Sequence, residues 1–445
     1  MKLYILVLAV VAGISSAFSW LVEAPDTSGE TGYYTAIDID SQGSIHIVYR
    51  SNSENSMKHI WQTPSGWEEE TVFTGLCSFI SMVLDDSDMP NIVFWNPADG
   101  MISHIRSNGS GWEVTPLESA NISGYYSPRA DIMLDSAGNP HIVWHDSTGE
   151  RLRYGCMNGN EWEITTVDEG TDAGVDPSIT IDDQDRLHVS YVKGDPGHVY
   201  YAFFDGSSWE IQELSVGGEA VGETSIALNS NGEPGISYHS LQSNQSLKYL
   251  YFDGTEWNSD VTYYLNYISP GTPNGLCFSS DDTPYISACR TDYQSFIMCL
   301  YKTGGTWQAS YPEGSYTGWD SSICPDPYGY VHLAYQNMSN SDLSYATNNL
   351  TGIESESGSP EEPFFVNLFP NPSSGEITVQ VGSGASGEVE VAIVDCAGRI
   401  VHHTMEYPNT GSTLETSFGG LTPGVYFCTI SSHGSSVCRR FAVLD

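Results

Sequence analysis

Seven segments of this 445-residue chain repeat one pattern. They read IDIDSQGSIHIVYR from Ile37, MVLDDSDMPNIVFW from Met82, IMLDSAGNPHIVWH from Ile132, ITIDDQDRLHVSYV from Ile179, IALNSNGEPGISYH from Ile226, LCFSSDDTPYISAC from Leu276 and ICPDPYGYVHLAYQ from Ile323. In each, apolar and polar residues alternate over two short runs. A cluster of Asp, Asn, Ser and Gly separates the runs, which predicts two strands joined by a tight turn. One column of the second strand holds His46, Asn91, His141, His188, Gly235, Tyr285 and His332, at steps of 45, 50, 47, 47, 50 and 47 residues. A period this regular predicts supersecondary units stacked on a shared core.

A second hairpin lies between copies, as in LRYGCMNGNEWEITTV from Leu152 and VYYAFFDGSSWEIQEL from Val199. Its turn is Asn-Gly or Asp-Gly in four copies, the pair best suited to two-residue hairpin loops. A Trp then opens the next strand, at Trp67, Trp112, Trp162, Trp209, Trp257 and Trp307. Four strands in each of seven repeats predict an all-β fold, a seven-bladed β-propeller over residues 18–350. The seventh repeat stops at LSYATNNL without its Trp strand, and Trp20 in SWLVEAP aligns with the missing one. The N-terminal strand is therefore expected to complete the last blade and close the ring, which removes two exposed sheet edges.

The flanks set the compartment. Residues 1–17, MKLYILVLAVVAGISSA, have the charge, apolar run and small-residue end of a secretory signal peptide. No other run approaches spanning length, so the mature protein is expected to lack a membrane span. With 15 Lys+Arg against 56 Asp+Glu, the formal charge is -41, which disfavours nucleic-acid and anionic-membrane partners. Among nine cysteines, Cys428 and Cys438 lie symmetrically about one loop and Cys289 and Cys299 about another. Both pairs are candidate hairpin disulfides. Residues 351–363, TGIESESGSPEEP, read as a linker. Alternating strands resume over 364–445, enough for a small Ig-like β-sandwich.

The tail carries LFPNPSSGEITV, VEVAIVDCAGRIV, LTPGVYFCTI and a final CRRFAVLD. In this order and spacing they resemble the C-terminal sorting domain of the type IX secretion system. The resemblance implies export through the periplasm, a partner in the outer-membrane secretion machinery, and release or attachment at the outer cell surface. The propeller resembles sialidase-type, BNR-like repeat proteins, whose Asp-box fills the turn between third and fourth strands. FDGSSW and FDGTEW occupy that turn here, one residue shorter than the box.

Propeller ligands bind around the axis, on the face formed by the loops after each second strand and between blades. The first set contributes Arg50, His145 with Asp146, His239 and Arg290. The second ends, three residues before each repeat, at Tyr34, Phe79, Arg129, Asp176, Glu223, Pro273 and Asp320. Arg50, Arg129, His145, Asp146, Asp176, Glu223, His239, Arg290 and Asp320 are thus the candidate ligand-binding residues. Carboxylates and guanidinium groups suit hydroxyls or a sugar acid, and aromatic faces suit pyranose rings. A carboxylic acid with a raised pKa, Glu223 or Asp176, is the candidate proton donor to a leaving oxygen.

No metal or cofactor is expected. His141 and His145 have the four-residue gap of a helical zinc motif, but a strand spreads them by about 13 Å. The Asp-x-x-Gly turns recur with the repeat, as turn chemistry does. The sequence is thus read as an exported propeller that binds an extracellular glycan or protein without catalysis. A glycan-active enzyme, either a sialidase-like hydrolase or a polysaccharide lyase, is the alternative, and a structural repeat scaffold is the third.

Overall fold

A computed structural model divides the chain into two compact units, Met1–Leu350 and Thr351–Asp445. It describes residues 20–349 apart from 108–110, 121–127, 160, 215, 217–218, 221, 241–245, 265–273, 291–295, 314–316 and 319, and in the second unit the strands between 366 and 443 with parts of their connections. The expected signal peptide and linker lie outside the described residues.

The first unit is built from antiparallel sheets. Tyr33–Ile39, Ser78–Leu84, Ala130–Leu134, Val175–Ile181, Gly222–Leu228, Gly275–Phe278 and Ser321–Pro325 each begin a sheet whose next strands follow in chain order. These seven first strands touch one another in sequence order, and Ser321–Pro325 touches Tyr33–Ile39. The last sheet takes its fourth strand from the other end of the unit, because Leu21–Asp26 pairs antiparallel with Asp342–Thr347. In the fourth sheet a two-residue strand, Glu219–Ala220, is added beside Gly197–Phe204. The architecture is all-β and of the propeller kind.

Burial follows position in the sheet. The second strands Pro90–Asn96, Pro234–Ser240 and Val331–Asn337 are buried at every residue, since both faces meet a neighbouring sheet. A fourth strand such as Gly66–Thr74 is mostly exposed. The cores lie between sheets. Val48 and Met57 of the first pack against Ile92 and Phe94 of the second. Ile47 and Tyr49 pack against Ala334, Leu343 and Tyr345 of the last.

The histidine column knits three of the sheets internally. His141, His188 and His332 place Nδ1 2.6 Å from the hydroxyls of Tyr154, Tyr201 and Tyr345 on the third strand. Their Nε2 atoms face Asp135, Asp182 and Asp326 of the preceding turn at 3.4, 3.5 and 3.6 Å. Burial holds all three imidazoles below the ordinary histidine pKa, so they are neutral. The tautomer that fits accepts the Tyr hydroxyl at Nδ1 and turns Nε2–H to the carboxylate. The turn carboxylates are themselves satisfied: Asp40 Oδ1 accepts from the backbone N–H groups of Gln42 and Ser44, and Asp135 Oδ1 from those of Ala137 and Asn139.

The third-strand ring then meets the next sheet. Tyr154 lies edge-on to Trp209, Tyr201 to Trp257, Tyr249 to Trp307 and Tyr345 to Trp67. The indole N–H reaches back to the fourth strand of the preceding sheet. Trp112 donates to Glu70 at 3.3 Å, Trp307 to Asp260 at 3.1 Å and Trp67 to Glu23 at 2.7 Å. Trp20 makes the same tie, donating to Ser310 at 2.8 Å. Each acceptor stands three residues after the Trp of its own strand, so Trp20 and Glu23 occupy the positions of any other fourth strand.

One expected bridge is corrected. Cys289 and Cys299 are both free, buried thiols. Cys289 lies opposite Ile297 and Cys299 opposite Ser287, so the two are diagonal rather than facing partners. Burial raises both thiol pKa values. In the second unit, Cys438 is opposite Thr429, while Cys428 is opposite Arg439. The Cys438 side chain lies outside the described residues.

The second unit has a three-stranded sheet, Val366–Phe369, Glu376–Val381 and Leu414–Gly419, and a four-stranded one in the order Ile400–Glu406, Val389–Asp395, Gly424–Ser432, Ser435–Val443. Ile377, Val379 and Phe418 of the first share a core with Val391, Ile393 and Ile430 of the second.

The Trp tie predicts a measurable asymmetry. Trp162 has no hydrogen-bond partner for its indole N–H. Trp20→Phe should therefore be more destabilising than Trp162→Phe by about 1 kcal/mol, the net worth of one hydrogen bond, in urea unfolding followed by tryptophan fluorescence. Equal losses would show that the Ser310 bond contributes nothing to stability.

Candidate functional site

The first strands do not begin regularly. Register shifts fall between Tyr33 and Ala36, Ser78 and Ser81, Val175 and Ser178, and Gly222 and Ser225. Each marks a β-bulge, and each contains one residue with positive φ: Tyr34 at 53°, Phe79 at 56°, Asp176 at 45° and Glu223 at 61°. A left-handed conformation costs a non-glycine residue on the order of 1 kcal/mol or more, and bulges serve to re-aim a side chain. Four equivalent residues are thus strained in the same way at the same end of the sheets.

The preceding sheet holds two of these bulges. Asp320 Oδ2 accepts from Tyr34 N at 3.1 Å, and Asp176 Oδ2 accepts from Glu223 N at 2.9 Å. Thr35 and Thr224, the next residues, donate to the carbonyls of Ala334 at 3.1 Å and Asp176 at 2.7 Å. Gly222 precedes Glu223 at φ +128°, and a Cβ there would collide with the Asp176 carboxylate.

These residues line one cavity of about 240 Å³ enclosed by the first strands. Arg129, Asp176, Glu223 and Asp320, expected from the sequence, all line it, together with Tyr34 and Phe79. Pro273 lies outside the described residues. Arg129 Nε is 3.1 Å from Asp176 Oδ1, and its Nη2 is 3.3 Å from Glu223 Oε1. Its guanidinium also covers the Phe79 ring at 5.1 Å, and Phe79 meets Tyr34 edge-on at 5.1 Å.

The electrostatics single out one group. Glu223 is 6 % exposed, and its Oε2 has no hydrogen-bond partner among the described residues. Burial pushes its pKa up to about 8; Arg129 opposes that shift, and Asp176 and Asp320 add to it. Near neutral pH Glu223 is therefore mostly the protonated acid, a donor as well as an acceptor. Burial also raises Asp320, against the pull of Arg129 and the Tyr34 N–H. Arg129 stays charged, because the acidic groups around it outweigh its own desolvation.

The other expected residues go elsewhere. Arg50 donates from Nη1 to Cys77 O at 3.3 Å and Ser78 Oγ at 3.4 Å, clamping the first sheet to the second, and it does not line the cavity. Asp146 is a turn residue: it accepts from the N–H groups of Thr148 and Gly149 and pairs with Arg151 at 2.5 Å. His145 is buried, and its backbone N donates to Arg129 O. His239 is buried opposite Gly222, with its pKa pushed down to about 4 by desolvation and by Arg129. Neither histidine lines the cavity. All four lie at the end of a second strand, among residues that still pair, and none of them lines the cavity. The Arg290 side chain lies outside the described residues.

Two lining residues escaped the sequence reading. Asn274 donates from Nδ2 to the Glu223 carbonyl and accepts at Oδ1 from Ser237. Asp131 accepts from Ser81 Oγ at 2.6 Å and Ser178 Oγ at 2.9 Å, their equivalents in the neighbouring sheets. A signal for Asp131 existed. The position before each repeat holds Ala36, Ser81, Asp131, Ser178, Ser225, Gly275 and Ser322, small residues with one exception.

Comparison with known proteins adds fold and destination. No curated protein matches the chain in sequence. Among solved structures, the BP39L lectin from Burkholderia pseudomallei aligns with a TM-score of 0.54 at 10% identity, covering 71% of this chain and 95% of that chain. An ulvan lyase of a polysaccharide lyase family aligns with a TM-score of 0.48 at 12% identity, over 71% and 94%. A six-bladed β-propeller lectin from Aleuria aurantia gives 0.46 at 14% identity, over 63% and 94%. At these identities the BP39L likeness is one of fold. Among the described residues no helix is long and apolar enough to cross a membrane. Residues 367–444 match the secretion system C-terminal sorting domain family. The end of the chain is therefore a type IX sorting domain, which ties it to the outer-membrane secretion machinery, and the protein is secreted or attached at the cell surface.

Proposed function

We propose that the protein is a seven-bladed propeller, closed by Leu21–Asp26 and exported with its sorting domain, that binds an extracellular glycan or protein ligand at its axial mouth without catalysis. The antiparallel pairing of Leu21–Asp26 with Asp342–Thr347 and the Trp20 tie support the closed ring. The observation that carries the binding reading is the meeting of Arg129, Asp176, Glu223 and Asp320 around an open cavity, with a buried Glu223 oxygen left unpartnered. Buried polar atoms are nearly always satisfied, and an exception in a concave site points to a ligand.

The second reading, a glycan-active enzyme, is favoured by one observation: Glu223 retains its proton near neutrality, as a general acid must. A glycan array on the purified protein, with turnover assays on every hit, separates the two. The expected result is binding without product, weakened about ten-fold or more by Glu223→Ala, the loss of one buried hydrogen bond to a ligand. Product formation that depends on Glu223 would replace binding with catalysis.

The Glu223 proton can be checked without a ligand. Its folded pKa lies above the ordinary 4.5, so its contribution to stability is complete below that value and is lost as pH rises through about 8. Glu223→Gln keeps the shape and cannot ionise. Between about pH 5 and pH 9 the wild type should lose stability relative to Glu223→Gln, read as diverging melting temperatures. Parallel curves would mean that Glu223 is ionised throughout.

A further inference from the structure

Given the axial binding reading above, we infer that the ligand group entering the mouth is a single uncharged sugar ring, recognised through its hydroxyls, and not a uronate, a sialic acid or an aminosugar. The inference rests on how Arg129, the one cation among the described residues that line the cavity, is already engaged. Arg129 holds Asp176 through Nε and Glu223 through Nη2, and its flat face lies on Phe79. A ligand carboxylate would have to displace Asp176 or Glu223 from the guanidinium and would then sit beside Asp176 and Asp320, whose charge would oppose it. A ligand ammonium would meet the guanidinium itself at the centre of the cluster.

A hydroxyl matches what is left. Glu223 has an unpartnered Oε2 that can donate, and a hydroxyl both accepts and donates. Asp131, the other carboxyl on the wall, is closed to a ligand by the serine hydroxyls and backbone N–H groups that it already accepts. Tyr34 and Phe79 add ring surface for the C–H face of a pyranose. The volume, about 240 Å³, lies below the roughly 300–1,000 Å³ of drug-sized sites, which suits one ring and not an oligosaccharide. A longer glycan would insert its terminal residue.

The test uses the full-length exported protein and ligand-observed NMR. The probes are the methyl glycosides of glucose, galactose, mannose, rhamnose and fucose, together with glucuronate, galacturonate, N-acetylneuraminate and glucosamine. At least one neutral glycoside should bind. Glu223→Gln, which still donates, should retain that binding, and Glu223→Ala should weaken it about ten-fold or more. Tighter binding of an acidic or amino sugar, lost on substitution of Arg129 or Glu223, would overturn the neutral class while leaving the mouth as the site. Neutral-sugar binding unchanged in Glu223→Ala and Asp320→Ala, with folding verified by circular dichroism, would move the site off the axis. Binding of no probe would overturn the inference and leave a protein ligand as the remaining form of the reading beneath it.

Discussion

A residue forced into the left-handed region at the start of a first strand is the constraint from which the mouth follows. Where a strand enters the crowded axis, a regular pleat would send alternate side chains into the neighbouring sheets. The bulge breaks the alternation once, at Tyr34, Phe79, Asp176 and Glu223, and turns those side chains to the cavity. The strain needs an anchor, and the anchor is the adjacent copy: Asp320 holds Tyr34 N, and Asp176 holds Glu223 N. The same carboxylates thus build the mouth and line it. Polar character at this end of the sheets is partly a requirement of the backbone, whatever ligand it serves.

Away from the mouth, the repeat performs a different task with different residues. The chain of turn Asp, second-strand His, third-strand Tyr and next-sheet Trp satisfies polar atoms at the seams between apolar cores. Neutral imidazoles suit this position, since a buried charge would require a fixed counter-charge in every sheet. That the column varies supports a packing role. Asn91 takes the histidine's place by bonding His104, and His46 bonds His59, so the hydrogen bond is kept while the residue types change. Rigidity is therefore distributed around the whole unit, and the cavity inherits it.

Most of the architecture was legible because it is periodic. A column that returns every 45 to 50 residues declares its own equivalents, and the missing Trp of the seventh repeat pointed to Trp20. The lining of the cavity was legible in part. Counting three residues back from each repeat found Arg129, Asp176, Glu223 and Asp320, since the bulge sits at a fixed place in the period. Arg50, Asp146, His145 and His239 do not line the cavity, because the end of a second strand is still a strand. Their side chains continue its alternation into a seam or a turn, and only the register shows which. Cys289 and Cys299 failed for a related reason: symmetry about a loop does not fix register, and the hairpin pairs Cys289 with Ile297.

The balance between binding and catalysis turns on which carboxyl groups have capacity to spare. Two-carboxylate hydrolysis needs an acid and a separate ionised partner, free to act as base or nucleophile across the scissile bond. Glu223 meets the first requirement. Asp176 has both oxygens engaged, by Arg129 and by Glu223 N, and Asp320 holds the Tyr34 bulge. Moving either towards a substrate would release a strained backbone on the next sheet. Asp131 is closed by its serines. Among the described residues the cavity thus offers one proton donor and no carboxylate unencumbered by the fold. That combination supports recognition of a hydroxyl more readily than cleavage of a glycosidic bond, and it follows from the bulge geometry that made the cavity polar.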